Sequence, residues 1–214
     1  RVDGADLAWQ AAADSGALVE GGGAIADGWQ VLLTDRSGAP SRVVFGSLVF
    51  FVIEREGRLA VRLRDRNWAA RRPPPDLSFY DYDPAWRVEA FWQRLATPQS
   101  MEVPNVGGEM KVVEVTHQAV VGIAMQAVTL LPISVSDSEV FFVFRDRTSG
   151  RETYGAGRFL KAPVAVDGKI TLDFNFAYSP PCAFTPFATC PLPPPENWLP
   201  FAVPAGEMKW EEDV

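Results

Sequence analysis

Both cysteines and half of the eighteen prolines fall between Ser179 and Glu207. The stretch opens Ser179-Pro180-Pro181-Cys182-Ala183-Phe184-Thr185 and continues through Thr189-Cys190-Pro191-Leu192-Pro193-Pro194-Pro195-Glu196-Asn197. Proline at this density excludes helix and central strand, so the rarest chemistry of the chain sits on an irregular strap. Three chemistries fit the cysteine pair. A disulfide would close a short loop and stabilise by about 2.5 kcal/mol on the chain-entropy estimate. Two free thiols are the plain alternative in a reducing compartment. Zinc prefers four ligands in closely spaced pairs; Cys182 and Cys190 are too far apart for that pattern, and His117 is the sole histidine. A nucleophilic Cys182 would have the Ala183 and Phe184 amides to face an oxyanion, but it lacks a base. His117 reads as a surface residue in a Thr-His-Gln corner, and no Cys-His or Ser-His-Asp set can be assembled. No metal and no cofactor is expected.

A second constellation is polar. Strand alternation from Lys169 puts Lys169, Thr171, Asp173 and Asn175 on one face, opposite Ile170, Leu172 and Phe174. The preceding strand presents Tyr154, Ala156, Arg158 and Leu160 together, with Gly155 and Gly157 leaving the other face bare. Pairing these strands would bring Arg158 to Asp173. Inside a barrel, that ion pair with Tyr154, Asn175 and Cys182 from the strap would hold a small polar or anionic ligand. The same residues would equally serve as a structural pair that fixes register and ties down the strap. Seven arginines lie between Arg55 and Arg72. Of these, Arg58, Arg62, Arg64 and Arg66 share a face, either to grip a phosphate or carboxylate or as a solvated face paired with Glu54, Glu56 and Asp65. Phe79, Tyr80 and Tyr82, after Pro73-Pro74-Pro75, form a candidate sticky loop.

The elements that must carry these residues are strands. Ser47 to Glu54 is β-branched and aromatic, Glu56-Gly57 supplies a turn, and Arg58 to Asp65 alternates Leu59, Val61 and Leu63 against polar neighbours, which predicts a hairpin. Met110 to Thr116, Val120 to Ala124 and Ala127 to Leu131 follow at meander spacing. Glu139 to Arg145 reads as strand, Asp146 to Gly150 as turn, Glu152 to Leu160 as the returning strand, and Asp167-Gly168 as a turn into Lys169 to Phe174. Helix fits only the alanine-rich Asp6 to Ala13, and Pro84 to Trp92 suits a helical turn or a strand. Gly21-Gly22-Gly23 and Arg71 to Pro75 read as loops. The expectation is an all-β fold with minor helix near the N-terminus. Its antiparallel meander forms a barrel or a sandwich, with the strap at the C-terminal end, in a single domain over residues 1–214.

Composition narrows the partners. The chain has 214 residues, 47% hydrophobic and 12% aromatic, enough for a sizeable core. Twenty-seven acids against twenty bases leave a net charge of −7, which opposes binding to nucleic acid. Apolar runs such as Val43 to Ile53 fall far short of a membrane span. The chain reads as soluble, cytoplasmic rather than extracytoplasmic, with a leader before Arg1 left open.

Several motifs together resemble a known family. They are Asp146-Arg147-Thr148-Ser149-Gly150-Arg151-Glu152-Thr153-Tyr154-Gly155-Ala156-Gly157-Arg158-Phe159-Leu160, then Leu172-Asp173-Phe174-Asn175, Pro180-Pro181-Cys182-Ala183-Phe184-Thr185 and Thr189-Cys190-Pro191-Leu192-Pro193-Pro194. The set is similar to the bacterial and archaeal family called domain of unknown function 1684. The likeness is dense from Phe141 onward and thinner from Arg58 to Phe91, through Arg62-Leu63-Arg64-Asp65 and Asp83-Pro84-Ala85-Trp86-Arg87-Val88. Ser179 stands where the family carries asparagine, so any ligand role of that asparagine is in doubt here. The first forty residues also lack the family's glycine-punctuated opening. The resemblance implies no activity. Three classes of function remain: a small-molecule binding module, an enzyme using carboxylate acid-base chemistry through Asp173 with Glu152 or Glu207, and a structural or interaction domain without a pocket.

Overall fold

The computed structural model describes residues 2–3, 6–12, 16–20, 28–55, 57–71, 75–123 and 125–210. Gly21 to Gly23, Glu56, Arg72, Pro73, Pro74 and Ala124 lie outside them, and with them parts of the loop and turn expectations above. The chain divides into two compact units, Arg1–Pro74 and Pro75–Val214. In the first, β1 (Val2–Asp3), β2 (Asp6–Trp9) and β4 (Gln30–Leu32) form one antiparallel sheet. The second sheet joins β3 (Leu18–Val19), β5 (Val43–Phe45), β6 (Leu48–Arg55) and β7 (Arg58–Asp65). The alanine-rich start is therefore strand, not helix: pairing of Leu7 with Leu32 and Trp9 with Gln30 overrides weak local propensity. The only α-helical turn among the described residues is α1 (Trp68–Arg71).

The β6–β7 hairpin forms in the expected register, Leu48 opposite Asp65 and Arg55 opposite Arg58. Its burial is one-sided. Val52 joins Leu32 and Val43 in the small core, with Trp9 edge-on to Phe50 at 5.4 Å, whereas Val61 and Leu63 are 53% and 60% exposed. Most of the arginines on this hairpin and its surroundings have partners. Arg55 pairs with Asp35 at 2.7 Å, Arg66 with Glu20 at 2.7 Å, Arg36 with Glu54 at 3.4 Å, and Arg71 with Asp65. Arg64 lies over the Phe51 ring at 5.3 Å.

In the second unit, a 3₁₀ turn at Pro84–Trp86, capped by the Asp83 carboxylate on Ala85 N, leads into β8 (Arg87–Pro104). β8 pairs with β9 (Met110–Ile123), which continues into β10 (Gln126–Leu130). The expected break at His117 is absent, because β9 runs straight through it. His117 stacks flat on Trp92 at 5.2 Å, and Thr116 Oγ1 lies 2.9 Å from its Nδ1. The irregularity sits in β8 instead, where register shifts between Arg94 and Gln99.

The other sheet comprises β11 (Ser134–Val135), β12 (Glu139–Phe144) and β13 (Arg158–Pro163). Asp167 and Gly168 then turn the chain with positive φ of 50° and 73°. The next strand, β14 (Lys169–Asp173), leaves that sheet and pairs with β8, giving the order β10-β9-β8-β14. The two sheets face each other across one core of Ala119, Val121 and Leu130, Ile170 and Leu172, and Phe142, Phe144 and Leu160. Neither sheet closes on itself, so the architecture is sandwich-like and not a barrel.

The outer face of β12 and β13 is also covered. Phe141, Val143 and Phe159 pack there against Tyr178, Cys182, Ala188 and Cys190 of the strap. Burial on both faces explains why Val140 to Phe144 is a continuous apolar run and does not alternate. No helix among the described residues is long and apolar enough to cross a membrane.

Candidate functional site

Between β12 and β13 the chain does not return directly as strand. Residues 146–157 fold back on themselves: Gly150, Arg151, Glu152 and Thr153 close turns around Thr148, and strand resumes only at Arg158. Asp146 organises this knot. Its Oδ1 accepts from Thr148 N (2.8 Å), Thr148 Oγ1 (2.6 Å) and Val203 N (3.1 Å), and its Oδ2 accepts from Arg158 Nη2 (2.9 Å). Thr148 in turn meets Thr153 Oγ1 at 2.8 Å. Arg158 Nη2 also donates to Val203 O (2.8 Å) and Nη1 to Ala205 O, while the guanidinium lies 5.2 Å above the Phe144 ring. Both side chains of the ion pair are 0% exposed. Arg158 thus pairs with Asp146, not Asp173: the turn at Asp167-Gly168 forms, but the strands on either side of it enter different sheets.

Asp173 ends β14 and has partners of its own. Its Oδ2 accepts from Arg87 Nη1 at 3.2 Å, and its Oδ1 accepts from Asn175 N (3.2 Å) and Nδ2 (2.9 Å). Asn175 clamps Asp83 from both sides, accepting from its N–H at 3.0 Å and donating to its carbonyl at 2.9 Å. These two residues fix the approach to β8. Tyr154 reaches the strap, where its hydroxyl donates to Cys182 O at 3.2 Å. Burial first, then the bond to Cys182, push the Tyr154 phenol up to about 12, so it remains a donor at neutral pH. The five residues singled out from sequence therefore occupy three local arrangements: Arg158 with Asp146, Asp173 with Asn175, and Tyr154 with Cys182.

Both thiols are free. Cys182 N donates to Cys190 Sγ at 3.3 Å. Burial is the main reason the Cys190 thiol is pushed up to about 11. Among the described residues, no three His, Cys, Asp or Glu side chains gather where they could hold a metal ion.

Sequence reasoning passed over several buried polar groups. Asn197 is 0% exposed and ties the strap to both sheets. Its Oδ1 accepts from Leu131 N (2.8 Å), and its Nδ2 donates to Leu131 O (2.8 Å) and Val143 O (2.9 Å). The one signal in the sequence was an amide two residues after a triple proline. Ser179 and Glu207 are buried as well, and Ser179 Oγ, Glu207 Oε1 and Arg158 Nε have no hydrogen-bond partner. Their backbones are neighbours. Phe159, next to Arg158, exchanges hydrogen bonds with Tyr178, next to Ser179, and Glu207 N donates to Ala177 O at 2.8 Å. The Phe159 and Tyr178 rings meet at 5.7 Å on the outer face, so alternation turns Arg158 and Ser179 to the opposite face. Along the strap Val203, Ala205 and Glu207 are the inward-facing set. Gly206 allows this close approach: at φ +80° a Cβ there would lie 2.5 Å from Ala177 O. At the rim, Tyr80 donates to Glu152 Oε2 at 2.8 Å, while Phe79 and Tyr82 are exposed. Glu152 and Asp173 thus have separate partners. A hollow of about 330 Å³ in the first unit, lined by Glu20, Gly38, Ala39, Pro40 and Arg42, contains none of these residues.

Comparison with known proteins follows this division. A search of curated proteins finds no match. Among solved structures, the chain is similar to the solution NMR structure of the uncharacterized protein from gene locus rrnAC0354 of Haloarcula marismortui. The two are 35% identical with a TM-score of 0.51, over 62% of this chain and 75% of that one. The family match begins at residue 75, where the second unit begins, and not at the hairpin of the first. Because the match spans residues 75–208, taking in the Asp146 knot, the strap and Glu207, the chain belongs to the family described as "Protein of unknown function (DUF1684)".

Proposed function

We propose that the second unit binds a small polar molecule beneath its C-terminal strap, through Arg158, Ser179 and Glu207. The observation that carries this reading is that three buried polar atoms on adjoining segments, Arg158 Nε, Ser179 Oγ and Glu207 Oε1, have no partner in the chain. Leaving such an atom unsatisfied costs about 1–3 kcal/mol, so three on adjoining segments favour a polar occupant. Charge selects the ligand. Asp146 already neutralises Arg158, and the uncommitted group is an acid, so a hydroxylated or amine-bearing molecule suits the site better than an anion.

A specific observation favours a second reading, a structural domain. Asp146, Thr148, Thr153 and Asn197 are hydrogen-bonded within the chain, which suffices to hold the strap down. Native mass spectrometry of the purified protein, beside its denatured mass, separates the two. The binding reading expects either a retained small mass, or a thermal shift with sugars, polyols or polyamines, that Ser179→Ala weakens without lowering Tm. A bare native mass and no shift with any of these probes leaves the structural reading.

A further inference from the structure

The cysteine pair is anchored from two sides. Cys190 is held from one side: its carbonyl accepts from Val106 N at 3.1 Å, and Leu192 N, two residues on, donates to Pro104 O at 2.7 Å. Cys182 is held from another, by the Tyr154 hydroxyl on its carbonyl and by the 3₁₀ turn Pro181–Ala183, which Ala183 N closes onto Pro180 O at 2.9 Å. Prolines at 180, 181 and 191 stiffen both backbones next to the sulfurs. These anchors leave Cys190 Sγ 3.3 Å from the Cys182 amide nitrogen, beside the arc that the Cys182 sulfur sweeps as its χ1 turns. Access is unequal, because Cys182 is half-buried and Cys190 is buried among Val143 and Phe159.

We propose that Cys182 and Cys190 form an oxidative modification site, a dithiol that closes to an intrachain disulfide by exchange with a low-molecular-weight disulfide. Cys182, the accessible thiol, loses its proton to solvent and attacks one sulfur of the small disulfide. That S–S bond breaks, a mixed disulfide forms, and the first small thiolate leaves and takes up a proton. Cys190 then loses its proton and attacks the Cys182 sulfur, forming the Cys182–Cys190 bond and displacing the second small thiol. Two protein thiols are oxidised by two electrons, and one disulfide is reduced to two thiols. The bond would staple the loop that covers the outer face of β12 and β13.

The test equilibrates the wild-type protein with oxidised and reduced glutathione at graded ratios, quenches with acid, alkylates, and reads the intact mass and the peptide map. Near-UV circular dichroism confirms that the protein stays folded. The expected product is a folded species two hydrogens lighter, cross-linked between Cys182 and Cys190, whose fraction follows the glutathione ratio and which dithiothreitol reopens. Cys190→Ser should accumulate the mixed disulfide at Cys182, since nothing resolves it. The proposal is overturned if, at the most oxidising ratio, the folded wild-type protein still takes alkylating reagent at both cysteines, or stops at a mixed disulfide.

Discussion

Asp146 and Asp173 belong to the same unit, each closes a strand, and each meets an arginine and a neighbouring polar side chain, but only the arginine of Asp146 is buried with it. The Asp146–Arg158 pair is 0% exposed on both sides, under Val203 and Ala205, whereas Arg87, the partner of Asp173, is 57% exposed. Residue types alone do not rank these pairs; water does. A buried pair loses much in desolvation, so removing one partner leaves a charge that nothing else compensates. Where the arginine stays in water, as Arg87 does, its charge is screened and the pair contributes little.

The sharpest way to break this comparison is Asp146→Asn. It strands the Arg158 guanidinium and should cost about 3–5 kcal/mol in urea unfolding. A cost under about 1 kcal/mol would mean that burial does not set the value of the pair. Asn197→Ala is expected to come next, at about 2–3 kcal/mol, because it leaves the buried Leu131 amide and two carbonyls unpaired. Hydrogen exchange at Leu131 should accelerate with it, and unchanged protection would show that the strap is held elsewhere. Arg87→Ala is expected to cost less than about 1 kcal/mol, and a loss as large as that of Asp146→Asn would erase the contrast.

The mildest effect lies in the first unit. The Glu54 amide, and after it the Arg55 side chain, hold the Asp35 carboxyl below its ordinary value of 3.8. A lowered folded-state pKa means that Asp35 contributes its stabilisation above the ordinary carboxylate range and loses it as pH falls through the lowered value. Carbon-detected NMR titration should show Asp35 titrating low and Arg55→Ala moving it partway back. No movement would assign the shift to the Glu54 amide alone.

The legible parts of the fold were those governed by neighbours in sequence. The β6–β7 hairpin and the Glu139 strand depend on β-branched and aromatic runs, and the Asp167-Gly168 turn on positive φ at two adjacent residues, which local chemistry dictates. Glu152 to Leu160 reads as one returning strand, whereas Asp146 and Thr148 hold its first residues in a knot and strand begins only at Arg158. Leu95-Ala96-Thr97-Pro98, between Arg94 and Gln99, hid the continuity of β8, since a bulge breaks the period there. Of the candidate site, Arg158 and the strap could be singled out by residue type and position. The partner of Arg158 was not, and Ser179 was noted only as a departure from the family pattern.

By itself the sequence determined an antiparallel β chain, a proline strap that cannot join a sheet centre, an acidic surface and a family. Only the tertiary structure decided that β13 and β14 part into different sheets and that Arg158 finds Asp146. It likewise decided that the strap returns Val203 and Ala205 to Asp146 and Arg158, and that the Cys182 amide comes to rest on the Cys190 sulfur. The physical reason is range. Alternation and turn geometry act over a few residues, whereas the bond from Val203 to Asp146 closes a loop of 57 residues. Its entropic cost is met only when the whole core forms, so no local pattern encodes it.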